Sequence, residues 1–254
     1  MSEATYNERY AIQAVNMSKR FGAFTAVDSL NITVERGEIF GFLGANGAGK
    51  TTAIRVFCGL LTPSSGDAWV AGKSVKTEMK ALRTRIGYMS QKFSLYEDLT
   101  VAQNLELYGG IYKIPSSVAK ERSQELLGKV GLLGMEKRET RDIPLGFKQR
   151  LALGCALLHR PEVVFLDEPT SGVDPVARRK FWDLIYEVAD EGTTVFVTTH
   201  YMDEAEYCGR VSLLVAGKLA ALDTPTGMKQ SVGAKSMQEA FLSIVQQAEQ
   251  ELQR

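Results

Sequence analysis

Ile39-Phe40-Gly41-Phe42-Leu43-Gly44-Ala45-Asn46-Gly47-Ala48-Gly49-Lys50-Thr51 is the stretch on which the fold turns. Its first five residues are apolar at successive positions, the pattern of a parallel strand covered on both faces. Gly44 to Thr51 fits G-x-x-x-x-G-K-[ST], a turn whose backbone N–H groups point inward and wrap a chain of phosphates. Lys50 to Leu60 reads as a helix, and its positive N-terminal end, with Thr52 in the first turn, adds to the same anion site. Lys50 brings a point charge for β- and γ-phosphates, and the Thr51 hydroxyl a ligand for Mg2+.

A nucleotide–Mg2+ site also needs a carboxylate at the end of a neighbouring buried strand. Val163-Val164-Phe165-Leu166-Asp167-Glu168 supplies two acids. Asp167 is the expected Mg2+ ligand, through water. Glu168, one residue on, is placed to orient or deprotonate an attacking water. Taken alone, the pair also fits an ordinary acidic strand end.

Further out, Ile12–Met17 and Leu30–Val34 alternate as strands, and 62–90 reads as more strand and turn. From about Leu99 to His159 the texture turns helical. Thr100 is a candidate cap for 101–109, and Val118–Val130 and Leu151–Leu158 are further helical segments. Asp174 caps the clearest helix, with Pro175 at its first position, Phe181, Leu184, Ile185 and Val188 on one face, and Gly192 at its end. Thr194–Thr198 and 211–215 read as strands, 202–207 as a short helix, and the remainder as a polar tail with one helical candidate, Ser236–Gln247. Strand–helix alternation on both sides of a helical insert predicts an α/β core carrying a helical lobe.

The chain has 254 residues, 44% of them hydrophobic and 24% charged, within ordinary globular usage and against a disordered chain or a coiled-coil rod. Lys+Arg 30 balances Asp+Glu 30, so no charge-driven nucleic-acid partner is expected. The three cysteines are far apart and form neither metal spacing nor a disulfide framework. The longest apolar candidate, Leu151–Leu166, is broken by His159, Arg160, Pro161 and Glu162, so no bilayer span is expected.

With four more pieces the set resembles the nucleotide-binding domain of ATP-binding-cassette transporters, from about Ile12 to Leu222. Gln91 follows the strand-like Ile86–Ser90, Ser171-Gly172-Val173-Asp174 follows Glu168-Pro169-Thr170, His200 ends a strand, and Ile143-Pro144-Leu145-Gly146-Phe147-Lys148-Gln149-Arg150 precedes a helix. The resemblance implies a P-loop NTPase core with an antiparallel β subdomain and an inserted helical subdomain. It implies one ATPase domain over 1–254: 1–90 plus 161–225 as core, 91–160 as helical subdomain, 226–254 as tail. By the same resemblance, ATP and Mg2+ are the cofactors, with Gly44 to Gly49, Lys50, Thr51 and Thr52 around the phosphates. Phe21 stacks on adenine, Gln91 touches Mg2+ and faces the membrane partner, Asp174 reports across a dimer, and His200 contacts the γ-phosphate. Gly146 and Gln149 belong to the signature that meets the nucleotide of the opposite subunit. The rival for Phe21 is a core aromatic, for Gln91 a solvated turn residue, for His200 a strand-end histidine.

Thr199-His200-Tyr201-Met202-Asp203-Glu204-Ala205-Glu206 and the Gly217-Lys218-Leu219 turn resemble ABC-2-type exporters. The implied partners are integral membrane permease subunits and a second cassette, identical or sister, and the implied location is the cytoplasmic face of the inner (plasma) membrane, peripherally bound. The apolar residues Phe93, Leu95, Tyr96 and Tyr108 are expected either to be exposed as a docking surface or to pack the lobe.

One departure stands out. Aligned on Gln149-Arg150, the family signature L-S-G-G-x-x-Q-R meets Ile143, Pro144 and Leu145 where it has Leu, Ser and the first Gly. Proline has neither hydroxyl nor N–H, and leucine adds bulk where glycine lets backbone approach phosphate. Slow but real hydrolysis is the expectation, because Lys50, Asp167, Glu168 and His200 are all kept; the alternative is a nucleotide-gated regulatory or structural subunit with little or no turnover. A GTPase reading lacks the guanine-reading N-K-x-D, and too few residues separate Lys50 from Asp167 for the coiled coil of chromosome ATPases.

Overall fold

The computed structural model describes residues 6–91 and 95–252. Two sheets share one core. The first is antiparallel, in the order β2-β1-β4-β5, from Tyr10–Phe21 (β1), Phe24–Glu35 (β2), Ser65–Val70 (β4) and Lys73–Ser74 (β5). The second runs β10-β9-β3-β8-β7-β6, from Ile39–Gly44 (β3), Ile86–Met89 (β6), Val163–Asp167 (β7), Thr194–Thr199 (β8), Arg210–Val215 (β9) and Lys218–Asp223 (β10). Its pairings are parallel except for β10 on β9.

The doubly apolar strands sit where such strands must. Phe40 and Phe42 of β3, Val163 and Phe165 of β7 and Phe196 of β8 pack toward the antiparallel sheet and the helix Lys50–Phe57 (α1). Leu43, Val164, Leu166, Val195 and Val197 face the opposite layer with Trp182 and Ile185. Phe40, Phe42, Phe57 and Phe165 each pack on Phe196, with ring centroids 5.2 to 5.7 Å apart.

The helical stretch consists of Val101–Ile111 (α3), Ser116–Lys129 (α4) and Leu145–Leu157 (α5), after a short Met79–Arg83 (α2). Thr100 caps α3 in a full capping box with Gln103. Asp174 caps Pro175–Asp190 (α6), accepting from Val176 and Ala177. Met202–Ala205 (α7), Pro225–Ser231 (α8) and Met237–Leu252 (α9) follow. No described helix is long and apolar enough to cross a membrane.

Several expectations are corrected. Strands β1 and β2 run well past the segments read from alternation, because register shifts accompany Asn16 and Ser29, both at positive φ, and break the two-residue period. Lys218–Asp223, which the sequence reading leaves without a strand, pairs with β9; a shift between Leu219 and Ala221 hides its alternation too. The tail is not merely polar, since Met228, Met237, Ala240 and Ile244 are buried. Of the expected docking residues, Leu95 is buried at 8% exposure and Tyr96 is 56% exposed. Tyr108 is half-buried against the lobe core, and Phe93 lies outside the described residues.

Candidate active site

Parallel strands bring their C-terminal ends to one edge of a sheet, where ligands of α/β folds gather. In the order β3-β8-β7-β6, that edge carries the Gly44–Gly49 loop, His200, Asp167-Glu168 and, two residues beyond β6, Gln91. The loop is held by backbone. The Ala48 N–H donates to Ala45 O at 3.1 Å, and the Gly217 N–H, in the β9–β10 turn, donates to Ala48 O at 3.0 Å. Gly49 ends the loop at φ +106°, and a Cβ there would stand 2.3 Å from the Ala26 carbonyl oxygen. At Gly44 a Cβ would stand 2.6 Å from Leu214 O. Glycine is therefore required at both ends of the motif on two grounds, conformation at one and close backbone approach at both.

The charged groups converge on Glu168. The buried Lys50 ammonium donates to Gly44 O at 2.7 Å and Ala45 O at 3.2 Å, and stands 3.4 Å from Glu168 Oε1. Glu168 Oε2 accepts from Gln91 Nε2 at 3.0 Å and lies 3.1 Å from His200 Nδ1. Glu168 itself sits at φ +51°, a conformation non-glycine residues adopt at a cost and here at the site's centre. Beside it, Asp167 Oδ1 accepts from Thr198 Oγ1 at 2.8 Å and Thr51 Oγ1 at 3.3 Å. Asp167 Oδ2 is buried and has no partner. Burial pushes the Asp167 carboxyl up, against the hydrogen bonds from Thr198 and Thr51 and the Lys50 charge. An orphaned carboxylate oxygen next to a threonine hydroxyl, below a ring of amides, fits a hard cation shared with phosphate oxygens.

An open cleft of about 380 Å³ lies over this constellation, lined by Phe24, Gly47, Lys50, Thr51, Gln91 and Glu168 among others. A larger cleft, about 510 Å³, opens between α4 and the C-terminal end of α6, near Pro161, away from the chemistry. Four of its charges are already paired, Lys129 with Glu191 and Arg160 with Glu125, and Arg122 donates to the Leu158 carbonyl.

The family model described as "ABC transporter" matches residues 27–171, more than half the chain. The chain belongs to the ABC transporter family. The cassette is 48% identical over 239 residues to the probable multidrug ABC transporter ATP-binding protein YbhF of Escherichia coli (strain K12), covering 92% of the chain and 41% of that protein. It thus spans about two fifths of that relative's length. It is 40% identical over 224 residues to the daunorubicin resistance ATP-binding protein DrrA3 of Streptomyces coeruleorubidus, covering 88% of the chain and 71% of the relative. A solved structure titled as the ATP binding subunit of an ABC transporter superposes with a TM-score of 0.82 at 26% identity, covering 92% of this chain and 99% of that one. Fold and sequence agree on an ATP-binding cassette.

Within the cassette, Lys50, Thr51, Gln91, Asp167, Glu168 and His200 come together. Phe21 does not line the cleft. It is 48% exposed, so it is no core aromatic, and it ends β1 opposite Phe24, which does line the cleft. Gly146 lies in the first turn of α5, and Asp174 caps α6; neither lines the cleft of its own chain. Gln149 is buried in the helical lobe with Oε1 unpartnered, so the structure gives it no open face toward a nucleotide. Pro144 is the N-cap of α5, and its carbonyl accepts from Phe147 N–H at 2.9 Å. Two site residues escape a motif reading. Thr198 binds both Asp167 Oδ1 and the Glu168 N–H, at 2.8 and 3.0 Å. Phe24 could have been found only from the tightness of the β1–β2 turn.

Proposed function

We propose that this chain is the ATP-hydrolysing subunit of an ABC-2-type exporter, seated on membrane permease subunits at the cytoplasmic face of the inner membrane. One observation carries the hydrolytic part: Glu168 is gripped from three sides, by Lys50, Gln91 and His200, at the mouth of the phosphate loop.

The loop amides and the N-terminus of α1 bind the phosphates of ATP. Lys50 exchanges its contact with Glu168 for the β- and γ-phosphates. Thr51, the free oxygen of Asp167 and Gln91 are the residues that would hold Mg2+, which neutralises charge developing on the phosphates. Glu168 Oε2 orients a water against the γ-phosphorus and takes up its proton, while the bond from that phosphorus to the β–γ bridging oxygen breaks and ADP leaves with the oxygen. His200 steadies that carboxyl through Nδ1 and reaches the γ-phosphate. The N-terminus of α5, exposed at Pro144 and Leu145, faces the nucleotide of a second cassette, so that ATP bridges two copies and its hydrolysis lets them part. The complete set around Glu168 favours turnover over a purely regulatory subunit. Resemblance to drug-resistance proteins supports export of a small organic compound selected by the permease.

The test is Glu168→Gln. It keeps ATP binding and lowers phosphate release by about a hundredfold or more, leaving an ATP-bound dimer on size exclusion. Wild-type turnover in this variant removes the hydrolytic assignment. Co-purification of the tagged chain with a polytopic membrane protein tests the transport part, and its recovery only in the soluble fraction counts against it.

A further inference from the structure

The mechanism above leaves one buried carboxyl unused. Glu204, in α7, is fully enclosed. Its Oε1 accepts a hydrogen bond from the Thr170 hydroxyl and lies 3.6 Å from Arg178 Nε. Its Oε2 has no partner, and Arg178 Nε makes no hydrogen bond. A buried carboxyl this sparingly satisfied is costly, and such a group calls for a reason other than stability.

Its three neighbours supply one. Thr170 lies in the loop between Glu168 and Asp174, and it too is buried. Arg178 is one turn into α6, the helix that Asp174 caps, and the Asp174 carbonyl accepts the Arg178 N–H at 2.9 Å. The Arg178 guanidinium stacks over the Tyr201 ring at 4.2 Å, and Tyr201 packs on the His200 ring at 4.2 Å. Glu204 itself follows His200 by one helical turn, its N–H donating to Tyr201 O at 3.2 Å. One side chain thus ties the segment that carries His200 to the loop leading from Glu168 to Asp174.

We infer that Glu204 is a positioning residue for ATP hydrolysis: through Thr170 and Arg178 it holds the Glu168–Asp174 loop against the His200 segment, so that Glu168 and His200 stay in hydrogen-bond register. The inference rests on the hydrolytic reading above. The strained φ of Glu168 needs such over-determination from its surroundings.

Two conservative variants test this in the full chain. Thr170→Val keeps the size and removes the donor. Glu204→Gln keeps the size and removes the charge. Both should lower kcat about tenfold with KM for ATP changed less than twofold, the split expected when ground-state binding is untouched. Thr170→Ser should restore kcat. Hydrogen exchange, which needs no turnover, should show faster exchange in both variants confined to residues 168–176 and 200–205. Wild-type kcat in Thr170→Val, or exchange that is unaltered or raised uniformly across the chain, overturns the inference. If the wild type hydrolyses no ATP, the hydrolytic reading fails instead, and the exchange pattern still decides whether Glu204 ties the two segments.

Discussion

Replacing Pro144 by Ser and Leu145 by Gly restores the serine and first glycine of the family signature and isolates what their loss does. The contributions oppose one another in the free cassette and leave a modest destabilisation. Pro144 is the N-cap of α5, so Ser there gains a side-chain cap on the first turn, worth ~0.5–2 kcal/mol. Removing proline's restriction of the unfolded chain returns ~0.4–1 kcal/mol. Gly at the first helical position costs up to ~1 kcal/mol, and Leu145, 37% exposed, forfeits ~1–2 kcal/mol of buried surface. The net change is thus a loss of ~1–2 kcal/mol. In the proposed dimer, a serine hydroxyl facing a charged γ-phosphate of the opposite copy adds ~1.5–3 kcal/mol, which is a ten- to hundredfold effect. Steady-state phosphate release at sub-saturating ATP should rise by that factor while the melting temperature of the nucleotide-free protein drops by only several degrees. A fall in turnover at temperatures where the variant stays folded refutes the reasoning and makes Pro144-Leu145 a fitted surface.

Gly49→Ala should be far worse than its one added methyl suggests, because the Cβ meets Ala26 O at 2.3 Å with φ at +106°; a loss of ~2–4 kcal/mol in urea unfolding is expected, and wild-type stability contradicts the loop geometry. His159 stacks on Tyr112 at 3.6 Å and donates through Nε2 to Ile86 O at 2.8 Å, while Nδ1 is buried without a partner. Burial first, then the Arg122 charge, lower its pKa to about 4 against the Ile86 hydrogen bond. The unfolded chain therefore takes up a proton near pH 6.5 that the folded chain refuses until about 4. This stability is present above pH 6.5 and is lost as pH falls toward 4, by no more than ~2 kcal/mol after allowance for partial exposure. His159→Phe should flatten the melting temperature between pH 7.5 and 5; an unchanged slope counts against the assignment.

How much of this was legible depended on whether a signal was local. The phosphate loop, the acidic strand end and the caps at Thr100 and Asp174 are written in contiguous residues, and the structure builds each from the same atoms the residue types imply. Burial on both faces explains why β3, β7 and β8 read so clearly. What failed was long-range or broken in period. Bulges near Asn16 and Ser29 cut β1 and β2 to fragments, and β10 lost its alternation to a register shift. The tail's apolar positions, Met228, Met237 and Ile244, are too thinly spread to read as a packed face until the β9–β10 hairpin appears beneath them. Thr198 escaped notice because it looks like any strand threonine; only its neighbours Asp167 and Glu168 give it work. Phe24 required the register of the hairpin, and the enclosure of Gln149 required the packing of the whole helical lobe.

Calorimetric titration of Mg–ATP into the wild-type chain and into Lys50→Ala tests the central claim, that the amide loop after Leu43 and the ammonium beside it capture a magnesium-complexed triphosphate. Saturable heat and a raised melting temperature in the wild type, with affinity at least about tenfold weaker in Lys50→Ala, are the predicted result. No heat and no thermal protection in the wild type, or equal affinity in the variant, contradicts it.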